Sequence, residues 1–251
     1  MSTLYERPKS ILPTASSYCP GCLHATATKI IAEAIDELKV REKAVYVLPV
    51  GCSTQGLVSW DLDIIGSAHG RAPAVATGIK RCRPDCLVFC YQGDGDLASI
   101  GLAEILSCAN RGENITVIFA NNSIFGMTGG QMAPTSLPGQ VTQTSPYGRD
   151  VKTAGYPIRV CELLSTLSGT ALAQRVTVDS VAHVREAKKA IRKGFENQIN
   201  KRGYSIIEVV STCPTNWGLS PQEAVNWLRD NMLPYYPLGV YKDVTAEGGE
   251  N

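Results

Sequence analysis

Two short polar clusters carry the strongest chemical signal in the chain. Gly93-Asp94-Gly95-Asp96 comes first and Asn121-Asn122 follows, with twenty-five residues separating Gly95 from Asn121. Glycines let a backbone approach an anion closely, and a helix starting after Asp96 would offer it free N–H groups. The Asp94 carboxylate and the Asn122 amide oxygen are hard ligands suited to Mg²⁺, which keeps places for phosphate oxygens and water. The pair therefore suits a metal-bridged phosphate. The plain alternative is two ordinary strand-to-helix turns, because a lone Gly-Asp-Gly is usually no more than that.

Cysteine supplies the second signal. The chain has nine cysteines, an odd number, which argues against a disulfide framework and for metal or cluster binding by a subset. Cys19, Cys22, Cys52 and Cys213 lie in turns or at the ends of elements, beside Gly, Pro or Ser. Four thiolates suit either structural Zn²⁺ or a [4Fe–4S] cluster, and the spacing alone favours neither. Free thiols without a ligand are the third possibility. Cys82, Cys86 and Cys90 recur every four residues, but Pro84 breaks any helix there. Cys86 and Cys90 fall inside a strand, and Cys108 and Cys161 in helical stripes, where cysteine packs as a small hydrophobe.

Other polar residues are less decisive. His24 stands in the first turn of a helix, either as a plain polar residue or as part of a site. His69 and Arg71, in His69-Gly70-Arg71-Ala72-Pro73, suit contact with a phosphate or carboxylate, or equally a brace for the following helix. Glu104 lies on a helix face and carries no assignment.

The elements that must position these residues follow from hydrophobic patterning. Apolar runs over 44–50, 86–91, 115–120, 171–178 and 204–210 read as strands. Helical stripes follow Cys22, run over 74–79, follow Asp96 to Arg111-Gly112, and cover 159–167, 181–202 and about 221–231. Strand–turn–helix–strand order predicts an α/β fold with a mostly parallel sheet and helices on both faces. Parallel strands would deliver Asp94, Asn122, Cys52 and Cys213 to one carboxyl edge, where such sheets bind ligands. The Gly-, Pro-, Thr- and Ser-rich stretch after Asn122, running to about Asp150, is too long for a plain connection and reads as wrapping a cofactor and meeting a partner subunit.

Length and composition bound the rest. A chain of 251 residues with 44% hydrophobic residues fits a polar arm over 1–17, one α/β domain over 18–233 and a polar, frayed tail over 234–251. Net charge of +1 implies no nucleic-acid partner, and no run of eighteen or more apolar residues suggests a membrane span. The first residues lack a signal-peptide core, so a cytoplasmic location is expected.

Gly93–Asp96 with Asn121-Asn122 resembles the signature of thiamine diphosphate (ThDP) enzymes. With Tyr18-Cys19-Pro20-Gly21-Cys22, His69-Gly70-Arg71-Ala72, Met127-Thr128-Gly129-Gly130-Gln131 and Cys213-Pro214-Thr215, most of the chain resembles the β subunit of 2-oxoacid:ferredoxin oxidoreductases. The resemblance implies the ThDP-binding fold, with Mg²⁺ on Asp94, the Asn122 side chain and the Ile124 carbonyl. It implies a cofactor cradle of Cys52, Ser53, His69, Gly70, Gly93, Asp94, Gly95, Asp96, Asn122, Ile124, Gly126, Met127 and Thr128. It implies a [4Fe–4S] cluster on Cys19, Cys22, Cys52 and Cys213. The family reaction is coenzyme A-dependent oxidative decarboxylation of a 2-oxoacid, with electrons passed to ferredoxin. The segment from Val50 to Arg71 and the run Gln131–Thr135 look more like the branched-chain (2-oxoisovalerate) type than the 2-oxoglutarate type. The glutamate that activates ThDP is expected on a partner α subunit, and further clusters on a separate ferredoxin-like subunit. A non-oxidative ThDP lyase subunit with zinc on the four cysteines is the competing reading.

Overall fold

Apolar strands separated by amphipathic helices give a doubly covered parallel sheet. The computed structural model describes residues 6–246. In chain order the strands are β1 (Ala44–Leu48), β2 (Asp63–Gly66), β3 (Leu87–Gly93), β4 (Thr116–Asn121), β5 (Ile124–Phe125), β6 (Gln131–Met132), β7 (Thr170–Thr177), β8 (Tyr204–Val210) and β9 (Gly239–Asp243). The main helices are α1 (His24–Glu37), α2 (Ala72–Cys82), α3 (Leu102–Arg111), α4 (Val151–Ala154), α5 (Val160–Ser165), α6 (Val181–Ile199), α7 (Pro214–Trp217) and α8 (Pro221–Trp227). The seven-stranded sheet has the order β2-β1-β3-β4-β8-β7-β9. Its ladders are parallel except β7–β9.

Strand alternation splits the core into two layers. Tyr46, Phe89, Tyr91 and Ile118 face α1 and α6, together with Ile31, Ile35, Ile191 and Phe195. Val45, Val47, Val88, Val117 and Phe119 face the layer that holds Ala76, Ile105 and Leu164 of α2, α3 and α5. Central strands covered on both faces show no polar alternation, which is why β4 is buried along its whole length. Among the described residues no helix is long and apolar enough to cross a membrane.

The structure corrects the sequence reading at three places. Residues 8–12 of the expected arm pack on the domain itself: Ser10 is buried, its hydroxyl donates to Asp36 at 2.6 Å, and Leu12 N–H donates to the Ser59 carbonyl at 3.0 Å. Asp63–Gly66, outside the apolar runs read as strands, is an edge strand paired only with β1. The expected frayed tail contains β9, which closes the opposite edge antiparallel to β7. Residues 1–5 and 247–251 of arm and tail lie outside the described residues.

The expected loop after Asn122 is more ordered than its composition suggests. It opens as the β5–β6 ribbon, and then folds around the buried Arg149. That guanidinium donates to the carbonyls of Ala133, Pro134, Ser136, Ala154 and Gly155. Side-chain donors here replace the ladder a strand would have had.

Candidate active site

β3 and β4 lie side by side, so their carboxyl ends bring the two polar clusters together. Asp94 follows the end of β3 and is 2% exposed. One of its oxygens accepts from Gly95 N–H at 2.9 Å; the other accepts from Ile124 N–H at 3.1 Å and the Thr135 hydroxyl at 2.7 Å. Burial pushes the carboxyl up to about 7, against the lowering effect of those bonds. A side-chain carbon added at Gly93 would meet nothing within 4 Å, so open space adjoins the turn. At Gly95 the ring of Phe125 occupies the place of a side chain.

The two asparagines divide the work. Asn121 is fully buried; its amide N–H donates to Glu208 at 2.8 Å and its oxygen accepts from Ser123 N–H at 3.2 Å. This holds Ser123 in the left-handed region, at φ 57°. Asn122 is turned the other way, and its buried Oδ1 has no hydrogen-bond partner. An orphaned amide oxygen close in the fold to a buried carboxylate is a donor set that fits a hard cation such as Mg²⁺. Ile124 is tied to Asp94 through its backbone, so it belongs to the same turn.

Asp96 does something different from its motif neighbour. Its carboxylate accepts from Gly70 N–H at 2.8 Å, Val50 N–H at 3.4 Å and the Gln92 amide, and pairs with His69 Nδ1 at 2.6 Å. It fastens the segment after β1 and the turn before α2 to the cofactor edge. Gly70, at φ +78°, lies against the backbone of Ile100 and Gly101, where a side chain would come within 2.7 Å of main-chain atoms. Arg71 pairs with Glu104 of α3 and His69 with Asp96, so both residues brace the start of α2. Ser53 is buried with its hydroxyl unpartnered, beside the Cys52 turn.

The four turn cysteines converge. Cys19, Cys22, Cys52 and Cys213 line one cavity of about 350 Å³ that also reaches Asn122 and Gly126. A side-chain carbon at Gly126 would lie 3.2 Å from Cys52 Sγ, 3.5 Å from Cys213 Sγ and 3.7 Å from Asn122 Nδ2. The thiols and Asn122 thus share a wall. Burial raises the Cys22 and Cys213 thiols, and pushes Cys52 up to about 12, with the other three cysteines adding to it. Among the described residues no three Cys, His, Asp or Glu side chains close on a single point as they do around one ion. Cys86, Cys90, Cys108 and Cys161 are buried in the core and Cys82 is exposed at the end of α2.

Met127 and Thr128 sit at the exposed tip of the β5–β6 ribbon; Met127 faces the cavity, while Thr128 bonds to Gln131. His24 proves to be buried, not a surface residue of the first turn. It accepts or donates at 2.6 Å to the Tyr91 hydroxyl and stacks on Tyr18, and burial lowers its pKa to about 4. Thr135, Glu208 and Asn216 were not anticipated. A charged residue inside the apolar run Tyr204–Val210 was the available signal for Glu208; Thr135 gave none.

The comparisons with known proteins agree with this geometry. The sequence profile described as "Thiamine pyrophosphate enzyme, C-terminal TPP binding domain" matches residues 50–209. The chain belongs to this family, in the branch of 2-oxoacid:ferredoxin oxidoreductase subunits. It is 46% identical over 244 residues to ketoisovalerate oxidoreductase subunit VorA of Methanothermobacter thermautotrophicus, covering 97% of this chain and 51% of that protein. It is 35% identical over 236 residues to 2-oxoglutarate synthase subunit KorB of Methanocaldococcus jannaschii, covering 92% and 82%. The chain thus spans about half the length of the VorA relatives. The solved 2-oxoglutarate:ferredoxin oxidoreductase from Magnetococcus marinus superposes with a TM-score of 0.79 at 25% identity, covering 96% of this chain and 86% of that one.

Proposed function

We propose that this chain is the ThDP- and [4Fe–4S]-carrying subunit of a 2-oxoacid:ferredoxin oxidoreductase that acts on branched-chain 2-oxoacids such as 2-oxoisovalerate. One observation carries the reading: four thiols and Asn122, the neighbour of Asp94 at the sheet edge, line a single cavity. A ligand set for a diphosphate-bound metal beside a thiol ring suits an oxidative reaction, whose electrons need an exit. An oxidative reaction needs an electron exit and a zinc lyase does not, which supports the cluster over the zinc.

When bound, ThDP supplies the nucleophilic carbon and electron sink for releasing CO₂ from a 2-oxoacid, with coenzyme A taking the acyl group. Asp94, the Asn122 amide oxygen and the Ile124 backbone would hold Mg²⁺ and orient the diphosphate. The glycine at 93 leaves the backbone open to it. Asp96 and His69 fix the turns that flank the site. Cys19, Cys22, Cys52 and Cys213 would carry the cluster that takes electrons on to ferredoxin.

The activating glutamate is assigned to a partner α subunit in the same cytoplasmic hetero-oligomer. The branched-chain preference is supported by the higher identity to the ketoisovalerate relatives than to the 2-oxoglutarate ones.

Anaerobic purification of the native complex tests the reading. Iron, equimolar sulfide and bound thiamine are expected, with coenzyme A-dependent viologen reduction fastest on 2-oxoisovalerate in a 2-oxoacid panel. A colourless, zinc-loaded protein would sink the oxidoreductase. Asp94→Ala is expected to weaken ThDP binding more than about 100-fold, since even outer-shell changes cost 10–100-fold in metal affinity. Iron content should stay unchanged; unaltered ThDP binding would refute the role of Asp94.

A further inference from the structure

Cys213 differs from the other cavity thiols in having a side-chain donor. Asn216 Nδ2 lies 3.3 Å from Cys213 Sγ and donates to the Gly126 carbonyl at 2.7 Å. The Gly126 carbonyl can only accept, so the nitrogen end of the amide must face it. That fixes the amide orientation and leaves its N–H₂ group beside the sulfur. Gly130 makes room: a side-chain carbon there would stand 3.2 Å from Asn216 Cβ and 3.3 Å from its Oδ1. Asn216 therefore joins the loop that carries the Asn122–Gly126 turn to the loop that carries the fourth thiol.

We propose that Asn216 is a positioning residue that aims Cys213 into the thiol ring and raises the reduction potential of the cluster held there. The inference rests on the Fe–S reading above. Reduction adds negative charge to a cluster and its thiolates. Hydrogen-bond donors to the sulfurs favour the more negative state, which makes them a principal lever on cluster potential. The same amide is tied to the metal-edge loop, so the potential becomes dependent on how that loop is seated. Asn216 acts through Cys213, to which its amide donates.

The test is an anaerobic redox titration, followed by electron paramagnetic resonance, of the complex carrying Asn216→Leu and, separately, Asn216→Asp. Leu keeps the size and removes the donor; Asp keeps the shape and replaces the donor by an acceptor. Expected is full iron and sulfide in both, with the reduction equilibrium shifted about tenfold toward the oxidised cluster in Asn216→Leu. That is a midpoint about 59 mV more negative for a one-electron couple, and at least as large a shift is expected in Asn216→Asp. An unchanged midpoint in an iron-loaded variant overturns the proposal. Loss of iron from both variants with the fold retained also overturns it, leaving Asn216 as an assembly residue. Wild-type protein without iron and sulfide overturns the Fe–S reading itself, which is a separate and recognisable result.

Discussion

The metal-edge turns and the thiol ring sit wall to wall, yet they are built in opposite ways. The edge is assembled from the ends of adjacent central strands, and almost every polar group in it already has a protein partner. Asp94 accepts three hydrogen bonds, Asn121 is bonded at both ends, and Asp96 ties together three separate segments. The thiol ring draws on an N-terminal turn, a segment after β1 and the start of a four-residue helix. Burial raises Cys22, Cys52 and Cys213, and donors are few: His24 and Ala25 N–H groups to Cys22, and Asn216 to Cys213. A site on strand ends inherits the rigidity of the sheet. One on distant loops depends on a few contacts that hold the loops together, so the two should fail separately.

The largest expected effect breaks the edge from behind. Glu208 and Arg175 are both fully buried, 2.9 Å apart, and Arg175 also pairs with Glu162 and lies over the rings of Tyr236 and Tyr241. Burial alone would lower the Arg175 guanidinium; Glu208 and Glu162 outweigh it and hold it above its ordinary value. Glu208 in turn holds Asn121, which shapes the Asn122 turn. Glu208→Gln is expected to cost about 3–5 kcal/mol, toward the lower end because Glu162 remains. Urea unfolding measures it. The variant should lose ThDP affinity while keeping its iron. Adding Arg175→Met should restore much of the stability, since the uncompensated charge is then gone. A Glu208→Gln protein as stable as wild type would remove this support from the edge.

The second effect separates the two regions by pH. His24 lies behind the thiol ring, neutral, with a pKa lowered to about 4 from its ordinary 6.5. The unfolded chain takes up a proton below about 6.5 that the folded chain refuses until about 4. The stability contribution is therefore fully present above pH 6.5 and is lost as pH falls through 4. At about 1.4 kcal/mol per pH unit, some ~3 kcal/mol goes over that window. Urea midpoints at pH 7, 5.5 and 4.5 give the slope. His24→Phe should flatten it by about one proton; an unchanged slope would place the acid sensitivity elsewhere.

The same contrast explains how much of the molecule was legible in its sequence. The central strands were, because burial on both faces leaves continuous apolar runs such as Ile115–Ala120. The two outer strands were not. Edge strands pair on one side only, so Asp63–Gly66 and Gly239–Asp243 remain largely exposed and lack an apolar run. Asp94, Asn122 and the four cysteines stood out in the sequence by their spacing and their places at the ends of elements, and the fold brings Asn122 and those cysteines to one cavity. The partners that aim them were not. Asn121 and Asn122 read alike, and only the fold shows one bonded inward to Glu208 and the other left with a free oxygen. The resemblance placed Asp96 in the cofactor cradle, and only the fold shows its oxygens bonded to Gly70, Val50, Gln92 and His69.

The smallest effect tests whether the thiol ring depends on contacts far from its own residues. The Cys19–Cys22 turn leans on the start of α8, where a side chain at Gly21 would come within 2.5 Å of Pro221 Cβ. Thr212, beside Cys213, donates its hydroxyl to the Gly21 carbonyl at 2.8 Å. The start of α8 is set by a capping box in which Ser220 accepts from Glu223 N–H and the Glu223 carboxylate accepts from Ser220 N–H. Ser220→Ala removes half of that box and should cost about 1 kcal/mol, a fall of about 2–4 °C in Tm. The loosened helix end shifts the surface on which Gly21 rests, so iron per chain should fall while ThDP affinity holds. Equal losses of iron and ThDP would show that the two regions are not independent, because the shared wall at Gly126 would then be transmitting the change from the thiols to the metal edge.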